Sequence, residues 1–336
     1  MATVRFLAKL AGVSIATVSR ALAGDPHVLP ATRERILALA QEYHYHPNRS
    51  MLNAMTGASQ SIGFLLPHAD DAFNARILSG VSQRAFKEAY HVILLETRSD
   101  LTRTCGAFSL LIEQRVAGIL ACSPCYELIP KEIMLALRSH SIPVVEVNCA
   151  RFPYPVDMAK TDELLLLEAA LHYLRGLGHQ RIGYLGLPPS QDPGQRLETL
   201  CTVLKGHRMF LPSWICTTPE ECGRFVENWK CADPRTRPTA ILAWNDLYAF
   251  RLMQACHRQG VALPRELSIM GFGNFPLLEY AHPALTTIEQ QPHLIGQTAF
   301  DLLLQRVDDD DTAPLPPRTV AVPIQLIARE SCAPPT

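Results

Sequence analysis

No apolar run in the 336 residues is long enough to cross a bilayer, and Met1 to Leu10 carries Arg5 and Lys9 among scattered apolar residues instead of the continuous stretch of a secretory leader. The chain is therefore expected to stay in the cytoplasm. Its ten cysteines are irregularly spaced in a long chain without an export signal, which argues against a disulfide framework. The C-x-x-C at Cys122 and Cys125 has neither a second pair nor a helix start beside it, and reads as thiols at the end of a buried strand. Charged residues are only 19% of the chain against 48% apolar, a globular composition rather than a disordered one. No nucleophile, base or metal-ligand grouping falls at strand ends, so no enzyme chemistry, metal or cofactor is expected.

What is present points to more than one folding unit, because 336 residues exceed one ordinary core. The net charge of −1 divides unevenly: residues 1–57 are +3 (Arg5, Lys9, Arg20, Arg33, Arg35 and Arg49 against Asp25, Glu34 and Glu42), and the remainder is −4. A basic head on a mildly acidic body suits a polyanionic partner. Thr3 can cap a helix with Val4, Leu7, Ala8 and Ala11 on one face, and Gly12 permits a sharp turn after it. Ser14 can cap a second helix with Val18, Ala21 and Leu22 inward and Ala16 and Arg20 outward, flanked by Thr17 and Ser19. Pro30 suits the first turn of a third helix with Ile36, Leu37, Ala40 and Tyr43 inward, although Leu29 is a poor cap. Periodicity alone fits a plain three-helix bundle equally well. Two short helices joined by a Gly turn, the second with a slim polar face, are also the layout of a helix-turn-helix that enters a major groove.

Residues 4–22 (V-R-F-L-A-K-L-A-G-V-S-I-A-T-V-S-R-A-L), with T-R-E-R-I-L at 32–37 and Y-H-P-N-R at 45–49, resemble the helix-turn-helix, third helix and hinge of the LacI/GalR family of bacterial repressors. The resemblance continues to the end of the chain. It implies a DNA-binding domain over 1–46 and a hinge over 47–60. Ile15, Ala16 and Arg20 fall where such repressors read base edges: Arg20 suits bidentate contact to guanine, and Ile15 and Ala16 suit apolar contact, for instance with a thymine methyl. Thr3, Ser14, Thr17, Ser19, His27 and Thr32 fall at phosphate-contacting and positioning sites, and Asn48 and Arg49 enter the hinge. Where the family wedges a Leu into the minor groove this chain has Ala54, which leaves Leu52 or Met55 for that role. Phe6 stands where the family usually carries an acidic residue.

Beyond residue 60, apolar runs at 62–66, 92–95, 118–121 and 144–147 alternate with helical stretches near 75–89, 105–114 and 132–139. The rhythm repeats with strands at 182–185, 240–243 and 267–272 and helices near 164–177, 196–204 and 247–259. Two such series predict an α/β core of two doubly wound parallel-sheet subdomains. The resemblance implies a periplasmic-binding-protein-like arrangement with crossings near 160, 290 and 319. The N-subdomain then holds about 61–159 and 291–318, and the C-subdomain about 160–290 and 319–330. Gly-Leu-Gly-His at 176–179 precedes a strand and reads as a helix stop.

Ligands of such a core lie at the carboxyl ends of strands. The resemblance, carried by G-H-Q-R-I-G-Y-L-G (178–186), W-N-D (244–246), G-F-G-N (271–274) and A-L-T-T-I-E-Q (284–290), places Asp71, Ala72, Phe73, Arg76, Asn148, Arg196, Trp244, Asn245, Asp246, Asn274 and Gln290 at effector positions. The Asn, Asp and Arg forks suit hydroxyls, and Phe73 or Trp244 suits a sugar's apolar face. Gly273 and Asn274 replace an Asp frequent in the family, so a ligand bringing its own carboxylate would meet Arg76 or Arg196 favourably. I-P-V-V-E-V (142–147) and N-R (48–49) resemble gluconate-type repressors. The expectation is a repressor controlled by a sugar or sugar acid such as gluconate. Because V-P-I-Q-L-I (322–327) is followed by no leucine heptad, a homodimer on a near-palindromic operator is expected rather than a tetramer. A nucleobase-type corepressor is the alternative ligand. A sugar-binding protein without DNA function is the other rival, which the basic head disfavours.

Overall fold

The computed structural model describes residues 3–45, 59–122, 128–148, 152–188, 195–205, 210–218, 221–309 and 316–336. The chain divides into two units, Met1–Gln60 and Ser61–Thr336. Among the described residues no helix is long and apolar enough to cross a membrane.

The small unit is three helices, α1 (Val4–Ala11), α2 (Ile15–Leu22) and α3 (Pro30–Glu42). Thr3 Oγ1 accepts the Phe6 N–H at 3.2 Å and Ser14 Oγ accepts the Thr17 N–H at 3.1 Å, so two orphan amide donors are satisfied at the helix starts. Gly12, at φ 63°, closes α1 in the left-handed region. Leu29 supplies no side-chain cap to α3. Leu7, Ala8, Ala11, Val18, Ala21, Val28, Ile36 and Ala40 form the core. Leu37 and Tyr43, expected inward, are 47% and 40% exposed, and Leu39 packs partly in their place. Successive helical residues turn by about 100°, so a stripe through Thr32, Ile36 and Ala40 centres on Ile36, with 39 about 60° and 37 about 100° away. Tyr43 instead meets Phe6 edge-on, with centroids 5.2 Å apart.

In the large unit the chain runs β1 (Ser61–Leu66), α4 (Ala72–Lys87), β2 (His91–Glu96), α5 (Leu101–Glu113), β3 (Gly118–Ala121), α6 (Lys131–Ser139), β4 (Val144–Val147) and β5 (Asp157–Thr161). It continues with α7 (Glu163–Gly176), β6 (Ile182–Leu185), α8 (Arg196–Lys205), β7 (Phe210–Cys216), α9 (Cys222–Cys231), β8 (Ala240–Ala243), α10 (Asp246–Arg258), β9 (Ser268–Phe272), β10 (Thr286–Glu289) and α11 (Pro292–Val307). The last elements are β11 (Thr319–Val322) and β12 (Gln325–Ile327). Two six-stranded sheets result, ordered β11-β5-β4-β3-β1-β2 and β12-β10-β9-β8-β6-β7. Leu65, Ile119 and Val144 bury in one layer while Phe64, Leu120 and Val145 bury in the opposite one. Tyr184, Leu242 and Met270 divide from Leu185, Ile241 and Ile269 in the same way across the second sheet. Central parallel strands covered on both faces bury every position, which is why they read as unbroken apolar runs.

The exit from the first sheet differs from the expected crossing near 319. β11 pairs in parallel with β5, from Thr319 opposite Met158 to Val322 opposite Thr161, so the chain leaves the first sheet only after Val322. The run 322–327 is not one strand: Pro323 has no N–H to continue a ladder, and the chain restarts as β12, antiparallel to β10. The second lobe also extends past residue 330, since the Ile269 N–H donates to Ser331 O at 2.9 Å and the Ala333 N–H to Ser268 Oγ at 3.1 Å. α4 and α11 touch backbone to backbone. A Cβ on Gly80 would stand 2.0 Å from the His293 carbonyl oxygen, and one on Gly296 2.1 Å from that of Ile77. This contact fixes α4, which carries Arg76, against the segment that follows β10.

Candidate functional site

On α2, Ile15, Ala16 and Arg20 are exposed together, as a groove-reading face requires. Ser19, expected to flank that face, is buried. Thr17 is half-buried, with its Oγ1 2.8 Å from Ser14 Oγ. Thr3 and Ser14 both act as caps by accepting backbone N–H groups. The Arg20 Nε lies 4.0 Å from Asp25 Oδ2, while Asp25 Oδ1 accepts the His27 N–H and lies 2.9 Å from His27 Nδ1. The backbone and side-chain hydrogen bonds from His27 hold the Asp25 carboxyl below the usual range. His27 is exposed and Thr32 half-buried near the start of α3. Asn48, Arg49, Leu52, Ala54 and Met55 of the hinge lie outside the described residues.

In the large unit, β8, β9 and β10 run parallel, so Trp244, Asn245, Asp246, Asn274 and Gln290 gather just beyond one edge of the second sheet. Arg76, one turn into α4, reaches across from the first lobe. Its Nη1 donates to the Gly273 carbonyl at 3.1 Å and its Nη2 to Glu289 Oε1 at 2.6 Å. The other Glu289 oxygen accepts Asn274 Nδ2 at 2.5 Å, and Asn274 Oδ1 accepts Arg329 Nη2 at 2.8 Å. Asn148 Oδ1 accepts the Thr161 N–H at 3.0 Å, and Gln290 Nε2 lies 3.4 Å from Thr161 Oγ1. Arg196 is buried, bidentate to Glu163 at 2.9 and 2.8 Å, bonded to the Trp244 carbonyl and lying over the Phe272 ring.

Other expected members bond within their own helix starts. Asp71 caps α4 by accepting the Phe73 and Asn74 N–H groups, and Asn245 caps α10 by accepting the Tyr248 N–H. Phe73 packs partly on the first lobe's core, and Ala72 is exposed. An open depression of about 400 Å³ is lined by Arg76 and Asn274, the two expected effector residues that reach it, together with Glu289, Gln291, His293 and Gln297. Glu289 carries no periodic signal as a strand-end acid, and its partner Arg76 lies far away in sequence. Glu289 thus stands beside Asn274, with one oxygen on Arg76 and the other on the Asn274 amide.

Elsewhere, His68, Asp70 and Glu96 bring one potential ligand atom each within 4.8 Å of one another, but Glu96 already accepts Arg98 Nε at 3.0 Å and the Ala69 N–H at 3.3 Å. Burial pushes the Cys122 thiol up to about 12, which makes it unreactive; Cys125 lies outside the described residues.

Asp246 is fully buried, accepting Thr287 Oγ1 at 2.6 Å and the Phe275 N–H at 2.8 Å. Burial pushes its carboxyl up to about 6, against hydrogen bonds from Thr287 and Phe275 and the charge of Arg329 that pull it down. The folded state therefore holds this proton more tightly than the unfolded chain does. The resulting stability is fully present below the ordinary value of 3.8 and is lost as pH rises through about 6. Asp246→Asn should remove that slope, so the stability difference between variant and wild type should drift in the variant's favour from about pH 4 to about pH 7. Urea midpoints at several pH values measure it, and a difference constant with pH would refute it.

The chain matches the model for bacterial regulatory proteins of the lacI family over residues 3–48 and that for a periplasmic binding protein-like domain over 171–332. It is 30% identical over 316 residues to the HTH-type transcriptional repressor PurR of Vibrio vulnificus (strain CMCP6), covering 93% of each chain. It is 28% identical over 311 residues to the ribose operon repressor of Escherichia coli (strain K12), covering 91% of this chain and 93% of the other. The crystal structure of the lac repressor dimer bound to operator and the anti-inducer ONPF shares the fold, with a TM-score of 0.82 at 23% identity over 99% of both chains. Identity at this level, carried through head and body alike, means that the chain belongs to the lacI family of bacterial regulatory proteins, as a ligand-regulated DNA-binding repressor and not an enzyme.

Proposed function

We propose that this cytoplasmic repressor binds a near-palindromic operator as a homodimer, one α2 per half-site, and is switched by a sugar or sugar acid bound between the lobes of each large unit. The observation that carries the reading is the reach of Arg76 from α4 to Gly273 and Glu289, polar groups of the opposite lobe beside an open cavity. A ligand inserted among such groups favours one lobe angle over another, and linkage then requires ligand and operator to change each other's affinity by the same factor. Arg20 would read guanine, and Ile15 and Ala16 would touch a thymine methyl. A relative that represses a ribose operon supports the carbohydrate class. Gluconate is the first sugar acid to test, on the resemblance of 142–147.

The test is fluorescence anisotropy on genomic fragments selected by the purified chain, repeated with sugars, sugar acids and nucleobases. At least one sugar or sugar acid should shift both operator affinity and the melting temperature. If only a nucleobase shifts them, the carbohydrate reading fails. If no fragment is bound at low ionic strength with any of these compounds, the repressor reading fails.

A further inference from the structure

Three arginines of the large unit that lie near strand ends have acidic counterparts. Arg196 is clamped by Glu163, Arg76 by Glu289, and Arg329 acts electrostatically on Asp246. Glu289 differs from the others because it also lines the open cavity, with its side chain 10% exposed. Its two oxygens are aimed at different donors, the Arg76 guanidinium and the Asn274 amide. Apart from Arg76 and Glu289, the wall is built of Asn274, Gln291, Gln297 and Gln325, with His293 and two apolar residues. Amides both donate and accept, which suits hydroxyl groups, whereas an anion needs an excess of donors and positive charge. A free carboxylate entering here would have to displace Glu289 from Arg76 or lie beside it, and like charges in a partly desolvated site repel strongly.

We propose that Glu289 is the residue that fixes the charge class of the effector, restricting the cavity to neutral, hydroxyl-rich molecules and rejecting the corresponding sugar acids. This deepens the cleft reading above and rests on it. It sets neutral sugars ahead of gluconate for a definite reason: the positive charge of Arg76 that a sugar acid would need is already matched. Glu289 touches the ligand or acts through Arg76 and Asn274, and in both cases loss of its charge leaves Arg76 uncompensated.

The test pairs each neutral sugar with its own acid (ribose with ribonate, glucose with gluconate, galactose with galactonate) in calorimetric titrations of the full chain. The variants are Glu289→Gln, which keeps the shape and one acceptor oxygen, and Glu289→Asp, which keeps the charge. The wild type should bind at least one neutral sugar and bind its acid at least tenfold more weakly. Glu289→Gln should lose roughly tenfold for that sugar and gain affinity for the acid, while Glu289→Asp should keep the neutral preference. A merely structural role would weaken both members of a pair together, and that result overturns the proposal. So does a wild type that binds acid and sugar equally. If the wild type binds neither member of any pair, the cleft reading itself falls and this proposal falls with it. Should Glu289→Gln fail to fold, a Glu289→Asp protein that binds acids as well as sugars overturns the proposal by itself.

Discussion

Replacing Asp157 with alanine is expected to cost the large unit about 3–5 kcal/mol, the loss typical of a buried ion pair deprived of one partner. The Asp157 side chain is wholly buried. It accepts Arg306 Nη2 at 2.6 Å and Nε at 2.9 Å, Arg318 Nη2 at 2.9 Å and the Arg318 N–H at 2.8 Å. Burial alone would push this carboxyl up, but the hydrogen bonds from Arg306 and Arg318 outweigh it and hold the group below the usual carboxylate range. Three elements meet there, since Asp157 opens β5, Arg306 lies on α11 and Arg318 immediately precedes β11. Alanine would strand the Arg306 guanidinium, which is mostly buried, and free the start of the strand that carries the chain out of the first lobe. Arg318 is more exposed and can turn to solvent, so most of the cost falls on Arg306. A depressed carboxyl contributes stability above its ordinary value of 3.8 and loses it as pH falls through the folded value. The gap between variant and wild type should therefore narrow in acid. Urea unfolding measures both effects, and a variant within about 1 kcal/mol of wild type near neutral pH would exclude this role for Asp157.

Asp157 also shows where the sequence is opaque. The central strands are legible because packing on both faces demands apolar residues throughout, and Ile182–Leu185 and Ala240–Ala243 meet that demand. β5, Asp-Met-Ala-Lys-Thr, is as deeply placed but satisfies its buried carboxylate with partners about 150 residues away, so no local pattern marks it. β7 contains a proline and pairs with β6 through a register shift, which hides it equally well. Helix caps are local, and Thr3 and Ser14 are readable for that reason. The ligand site is not local. Its strand-end residues follow from topology, but the pairing of Arg76 with Glu289 exists only after two lobes fold together. Positions 273–274 read alone therefore miss that Glu289 brings an acidic partner to Arg76 and Asn274. Ser19 is likewise buried by tertiary packing that its residue type does not announce.

Arg20→Ala is expected to weaken binding to the specific operator by about 1–3 kcal/mol, roughly 5- to 150-fold, and to relax the preference at one base position per half-site. The Arg20 side chain is 60% exposed, and its nearest carboxylate, Asp25, stands 4.0 Å from Nε, a separation at which an exposed pair contributes little. Releasing it toward a guanine edge therefore sacrifices almost nothing, whereas the paired hydrogen bonds it would then donate to guanine are charge-assisted. Asp25 is meanwhile held by the His27 N–H and ring, so it does not follow the guanidinium into the groove. The loss should fall on the specific complex. On scrambled DNA the variant should show only the modest, salt-dependent deficit of one missing positive charge. Anisotropy on operator and scrambled duplexes at matched salt, with a binding-site selection on both proteins, separates these contributions. Equal losses on both duplexes with an unchanged selected motif would make Arg20 a phosphate contact, and base reading would then have to come from another part of the head.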